Sequence, residues 1–168
     1  GALALVGDDP TAKSSPTPGA SELAAAAVMM PIIYPGDVQE VLDLGVHAVA
    51  LSRSSGLWVA VKMSTTVADG SGSAFVSPDR VRPVMVDIEL DGKPYVHQHS
   101  MHLYGGSVMG REHSQIYGRI EAALAYARAN DLNRVTVSTD RDRIGIISSG
   151  KTYYELRQTL RELGIDDD

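Results

Sequence analysis

There is no cysteine among the 168 residues. That excludes disulfides, a cysteine nucleophile, a zinc knuckle and any iron–sulfur ligand drawn from this chain. Aromatic residues are scarce, with one Trp and one Phe, so aliphatic side chains must carry the core. Positive charge is scarce as well: 15 Lys and Arg face 21 Asp and Glu, for a net charge of −6. Without a basic cluster the chain lacks the electrostatic footprint of a nucleic-acid or anionic-membrane binder, and we expect neither partner. No apolar run approaches the length of a membrane span, and no secretory signal is recognisable, which makes the cytoplasm the expected location.

What is present is an α/β pattern. Hydrophobic residues make up 43% of the sequence, enough for one proper core. Gly1-Ala-Leu-Ala-Leu-Val-Gly7 reads as a buried central strand of a parallel sheet, delivering the loop Asp8-Asp9-Pro10 at its carboxyl end. Ser21 to Met30 is an Ala-rich helix ended by Pro31, and Pro31 to Tyr34 is a short strand. Asp37-Val-Gln-Glu40 has the form of a capping box opening a helix that runs to Arg53 and closes at Gly56. Leu57 to Met63 is the next strand. Strand, helix, strand, helix, strand implies parallel strands through residue 67.

The texture changes at Ala68-Asp-Gly-Ser-Gly-Ser73. Val84 to Leu90 alternates, Asp91-Gly92 signals a type I′ turn, and Tyr95 to His99 returns, so we expect a hairpin over 84–99. Residues 100–111, with three glycines, read as a loop, and Glu112 to Asn130 as a long helix. Arg134 to Ser138 is expected as a strand, Asp140 to Arg143 as a polar turn, Ile144 to Ile147 as a strand and Thr152 to Leu163 as a helix. A chain that opens on a strand and stops just after a helix is expected to be a piece of a larger α/β protein, with an uncovered hydrophobic face suited to partner chains or dimerisation.

Several motifs suggest chemistry. Gly145-Ile-Ile-Ser-Ser-Gly150-Lys151-Thr152 matches the phosphate-loop pattern GxxxxGK[ST], yet Ile146 and Ile147 read as strand between the two glycines, where a phosphate loop needs free N–H groups. The alternative is a strand–turn–helix with Ser149, Gly150 and Thr152 capping the helix. His97, His99 and His102 have metal-like spacing without an evident carboxylate or thiolate beside them, so their role stays unassigned. Ala68-Asp69-Gly70 lacks the first Gly of the GDG motif that holds a thiamine-diphosphate metal. The loop from Asp8 to Ser15 is the favoured ligand-facing segment, because ligands of open α/β sheets sit at the carboxyl ends of strands. Asp8, Asp9, Lys13, Ser14 and Ser15 could contact a polar ligand; alternatively Asp9 and Ser14 only cap the loop and the next helix. No catalytic residue and no metal ligand can be named from spacing.

The stretches Gly7-Asp-Asp-Pro-Thr-Ala-Lys-Ser-Ser15, Met30-Pro-Ile-Ile-Tyr-Pro-Gly-Asp-Val-Gln-Glu-Val-Leu-Asp-Leu-Gly45 and Ala50-Leu-Ser-Arg-Ser-Ser-Gly-Leu-Trp-Val-Ala-Val-Lys62 resemble the indolepyruvate ferredoxin oxidoreductase family, in its large fused bacterial form. Asp131-Leu-Asn-Arg-Val-Thr-Val137 and Gly145-Ile-Ile-Ser-Ser-Gly-Lys-Thr-Tyr153 add to the likeness. Members are thiamine-diphosphate-dependent 2-oxoacid:ferredoxin oxidoreductases that form acyl-CoA. The resemblance implies that residues 1–67 are the second half of the aminopyrimidine-type thiamine-diphosphate domain, a three-layer parallel-sheet half-domain. It further implies a connecting segment over 68–143 and the start of a further α/β domain over 144–168. Asp8, Asp9, Ser14 and Ser15 would be cofactor-proximal. Mg²⁺ and iron–sulfur clusters, with ferredoxin and CoA as partners, would belong to the parent protein, a homo-oligomer, and this piece alone would be inactive. A nucleotide-binding domain using Gly145 to Thr152, or a scaffolding module serving subunit contacts, are the alternatives.

Overall fold

The computed structural model describes residues 1–99, 101–102 and 104–165. Its centre is a three-stranded parallel sheet built from β1 (Ala2–Asp8), β2 (Ile32–Ile33) and β3 (Trp58–Ser64), in the order β1-β3-β2. The burial pattern explains that order. Val59, Ala60, Val61 and Lys62 are consecutive and all buried, which requires cover on both faces and a neighbour on both edges. In β1 burial is partial, and Leu5 is 74% exposed. The expectation of a central β1 is therefore corrected: among the described residues it is an edge strand, and β3 takes the centre.

Helix α1 (Glu22–Ala27) and helix α2 (Val38–Ser55) connect the strands. The start of α2 follows from its sequence. Asp37 accepts the Glu40 N–H at 2.7 Å, and the Glu40 carboxylate reaches back to the N–H of Gly36 at 2.8 Å, one residue earlier than a standard capping box. Gly56, at φ 73°, closes the helix in the left-handed region that glycine tolerates. Ser52 then joins helix to sheet: its hydroxyl donates to the Leu57 carbonyl at 2.6 Å and accepts the Ala2 N–H at 2.8 Å. A short helix, α3 (Thr65–Ala68), follows β3 directly.

The second half departs further from its sequence pattern. The turn at Asp91 and Gly92 forms with both φ positive, 54° and 72°, but the ladder is only β4 (Glu89–Leu90) against β5 (Lys93–Pro94), extended by one bond from the Tyr95 N–H to the Ile88 carbonyl. Val84, Met85 and Val96 are exposed rather than paired. Where a neighbouring strand was expected, the Asn130 side chain clasps Val84, accepting its N–H at 2.7 Å and donating to its carbonyl at 2.8 Å.

The long helix starts at Gly106, not Glu112, so part of the expected glycine loop is helical. It runs as α4 (Gly106–His113), a π-helical stretch (Ser114–Arg119) and α5 (Ile120–Ala129). The wide turn coincides with Gly118, where an added Cβ would lie 2.6 Å from the Tyr95 ring; the Tyr95 hydroxyl bonds that of Ser114 at 2.9 Å. The expected strands at 134–138 and 144–147 do not form. Val135, Ile144 and Ile147 are more than four-fifths exposed and have no strand to pair with among the described residues. The polar turn does form, with Asp142 accepting from the N–H and hydroxyl of Thr139. Helix α6 (Lys151–Glu162) lies within a residue of its expected bounds; the last three residues of the expected 144–168 unit fall outside the described set.

The core lies where α2 meets the sheet on one side and α5 on another. Ala48, Leu51, Leu57, Val59, Val61, Ala123 and Tyr126 are all buried there. The molecule is a small α/β domain with a separate antiparallel pair.

Candidate functional site

The carboxyl ends of β1 and β3 lie side by side, with Asp8 in register with Ser64. A strap of residues 9–21 leaves β1 and returns to α1 across this end. Between strap and sheet is a shallow open depression of about 250 Å³, where Asp8, Asp9, Ser14 and Ser15 meet Met63, Thr65 and Asp69. Asp8, Asp9, Ser14 and Ser15 thus share one concavity with residues at and just after the end of β3, while Lys13 does not line it.

Two of the three carboxylates there, Asp8 and Asp9, are already committed. Asp9 accepts the N–H groups of Lys13, Ser14 and Ser15 at 2.7–2.9 Å and the Ser15 hydroxyl at 2.9 Å. The Ser14 N–H leads these donors in holding its carboxyl down at about 2, well below the ordinary Asp value. Its backbone carbonyl also takes the N–H groups of Ala12 and Gly19, both at 3.0 Å. Such an Asp is a knot within the loop, not a proton carrier, so the capping alternative describes Asp9 well. Ser14 caps nothing; its hydroxyl leans on Asp69 at 3.4 Å. Ser15 closes the knot and donates onward to the Thr17 carbonyl at 2.8 Å.

Asp8 is buried and accepts both the N–H and the hydroxyl of Ser21, at 2.9 and 2.8 Å. Lys62 approaches the same oxygen at 3.3 Å. Burial alone would raise the Asp8 pKa, but the two Ser21 bonds and the Lys62 ammonium outweigh it and hold the group ionised. Lys62 also binds the Glu22 carboxylate and stands 4.5 Å from the centre of the Tyr34 ring. Desolvation works against its charge, yet Glu22, Tyr34 and Asp8 together raise its pKa above the usual lysine value.

Lys62, Glu22, Ser21, Tyr34 and Asp69 were not nominated from the sequence. One signal was there: a lysine inside the run Leu57-Trp-Val-Ala-Val-Lys-Met63, an otherwise apolar strand, must find a partner when buried.

The other nominated motifs are placed elsewhere. Gly150, at φ 60°, precedes α6, and an added Cβ would lie 2.5 Å from the Tyr34 ring. Tyr154, one turn into α6, bonds the carboxylates of Glu40 and Asp37. The helix start is therefore packed on an aromatic ring beside two acids, the opposite of a phosphate cradle. The half-buried ring of His97 lies over Gly56, its pKa lowered by burial, then by the charges of Arg119 and His99. Arg119 is held by Gln115 and donates to the Gly56 carbonyl at the end of α2. No group of three potential metal ligands forms among the described residues.

A family model described as the indolepyruvate ferredoxin oxidoreductase middle domain matches residues 133–168. The indolepyruvate oxidoreductase subunit IorA of Methanothermobacter thermautotrophicus is 26% identical over 166 residues, covering 99% of this chain and 26% of the relative. The subunit of the same name from Methanothermobacter marburgensis aligns with the same identity and the same coverage of both chains. The chain therefore spans about a quarter of the length of the curated relatives it matches. No solved structure matches it.

Proposed function

Because this chain is related to the indolepyruvate ferredoxin oxidoreductase family, we propose that it is one stretch of a thiamine-diphosphate-dependent 2-oxoacid:ferredoxin oxidoreductase. The parent decarboxylates an aryl or branched 2-oxoacid, passes electrons to ferredoxin and forms an acyl-CoA. The observation that carries the reading is the end-to-end match: 99% of the chain aligns with a subunit named for indolepyruvate. Residues 1–67 are assigned to the aminopyrimidine-type half-domain, 68–143 to the connecting segment, and 144–168 to the start of the next domain. The parallel sheet supports the assignment of the first unit, whereas the middle-domain match begins at residue 133, inside the assigned connecting segment.

The depression does not fit the diphosphate end of the cofactor. Its described lining holds three aspartates and neither Lys nor Arg, and the buried Lys62 is taken up by Asp8 and Glu22. A diphosphate carries several negative charges that need a metal or a basic cradle. No chemical step is assigned to these residues; Asp8, Asp9, Ser14 and Ser15 serve as cofactor-proximal walls. The cofactor supplies carbanion stabilisation when bound, and this stretch supplies shape and orientation. With no cysteine here, iron–sulfur ligands must come from other parts of the parent.

Two measurements test the reading. Full-length enzyme assayed with indolepyruvate, CoA and a viologen dye is expected to need thiamine diphosphate; equal rates without it sink the proposal. Purified 168-residue chain titrated with thiamine diphosphate and Mg²⁺ is expected to be inactive and to bind near the millimolar range, about a thousandfold weaker than micromolar. Micromolar binding would mean the cofactor contacts are misassigned. Alanine at Asp9 and Ser14 in the parent separates the scaffolding alternative, which predicts unchanged turnover and cofactor affinity.

A further inference from the structure

We propose that Lys62 is a positioning residue, tying both ends of the strap to the central strand and so setting the rim that Asp9, Ser14 and Ser15 present to the depression. Its effect on turnover rests on the function proposed above; its effect on the strap does not.

The contacts of one buried ammonium define the role. Lys62 is 3% exposed, and its partners come from three different elements: Asp8 at the end of β1, Glu22 at the first residue of α1, and the Tyr34 ring just after β2. The strap begins after Asp8 and ends at Ser21, so the same cation holds its two feet. The Asp8 oxygen nearest Lys62 also takes the N–H and hydroxyl of Ser21, which closes the base of the loop. Farther out, Asp9 ties residues 12–15 and Gly19 into a local knot with no bond to β3. The knot keeps its shape by itself; its height and tilt over the sheet depend on the base. Two weaker bonds assist on the far side, from Thr65 to the Asp8 carbonyl at 3.2 Å and from Ser14 to Asp69 at 3.4 Å.

Stability alone does not account for a charge here. A buried ion pair can be replaced by apolar groups of similar volume at little or no loss of stability, because the charges no longer need desolvating. What an apolar residue cannot do is hold Asp8, Glu22 and Tyr34 at fixed points around one centre. Lys62 is thus explained by geometry demanded of the strap rather than by strength added to the sheet.

The experiment compares Lys62→Met with the double variant Asp8→Asn/Lys62→Met in the full-length parent. The double variant leaves no orphaned buried carboxylate and keeps the test open if the single one folds poorly. Hydrogen exchange at Ser21, whose N–H sits on the Asp8 oxygen that Lys62 holds, is expected to rise about tenfold or more, with the knot amides of Lys13, Ser14 and Ser15 and the α2 and β3 amides unchanged. The thiamine diphosphate concentration for half-maximal rate should rise about tenfold while kcat at saturation stays within about threefold, a split that general destabilisation does not give. Unchanged strap exchange overturns the proposal. So does a loosened strap with unaltered cofactor dependence. If the parent turns over without thiamine diphosphate, the functional reading fails by itself, and strap exchange still decides whether Lys62 is the tether.

Discussion

Replacing Tyr126 by Ala is expected to destabilise the protein by about 3–5 kcal/mol, the range for removing a large aromatic side chain from a packed core. At this chain length that lowers Tm by about 10 °C or more. Tyr126 is completely buried in the cluster where α5 meets α2, packed with Ala48, Leu51 and Ala123. The cluster contains no Phe or Trp that could fill the vacated space. Its hydroxyl lies 3.0 Å from His47 Nδ1, and burial pushes its pKa up to about 12, so it remains neutral over the working pH range. Tyr126→Phe keeps the volume and removes one bond, and should cost only about 1 kcal/mol. A phenylalanine variant as damaging as the alanine one would show that the bond to His47, rather than packing, holds the helices together.

The same pair gives the protein a pH dependence. Burial lowers the His47 pKa from 6.5, partly opposed by the charge of Asp43. A depressed histidine is neutral in the folded state while the unfolded chain already binds a proton. Stability from this site is therefore complete above the unfolded value and falls as pH drops from 6.5 toward the folded value. Thermal melts across that window should slope downward toward acid, and His47→Gln should flatten the slope. A slope of the opposite sign would mean that the charged imidazolium is the favoured form, with Asp43 outweighing burial.

Local features could be read from sequence because their causes are local. Asp37 and Glu40 cap α2 through bonds that span four residues, Gly56 supplies the left-handed stop, and Asp91-Gly92 makes the tight turn. Strands were legible only where a partner exists within the chain. Leu57 to Met63 and Ala2 to Val6 find each other, whereas Val135, Ile144 and Ile147 have the right composition but no neighbour among the described residues, and lie exposed. Gly105, Gly106 and Gly110 suggested a loop, yet the helix extends through Gly106 and Gly110 without a buried residue of its own, continuous with the stretch that Tyr95 holds at Ser114, against a glycine penalty of about 1 kcal/mol each. At the site, Asp8, Asp9, Ser14 and Ser15 were found from their place after a strand. Lys62 lies 54 residues beyond Asp8 and 40 beyond Glu22, and only the register of β1 on β3 makes that meeting visible.

The attachment of α6 rests on two glycines facing each other. A Cβ at Gly36 would stand 2.3 Å from the Gly150 carbonyl oxygen and 2.6 Å from the Tyr154 ring. The obstacle at Gly150 is backbone, so no rotamer change relieves it. Gly36→Ala must push the start of α6 off the Tyr34–Pro35–Gly36 turn, at an overpacking cost of about 2 kcal/mol. That cost falls on α6 alone if the helix is a separate cooperative unit, and the structure favours this: it docks through Gly150, Tyr154 and the carboxylates of Asp37 and Glu40, and contributes no buried residue to the core cluster. Amide exchange in α6 and proteolysis in residues 139–149 should accordingly rise about 30-fold, with β3 and α2 protection unchanged. Gly150→Ala should do at least as much, because the new side chain meets the Tyr34 ring and the residue must also hold φ at 60°. Tyr154→Phe removes only the bonds to Asp37 and Glu40 and should fall between these variants and the wild type. If Gly36→Ala lowers protection of β3 as far as that of α6, helix and sheet unfold together, and α6 is part of the first domain rather than an appendage resting on it.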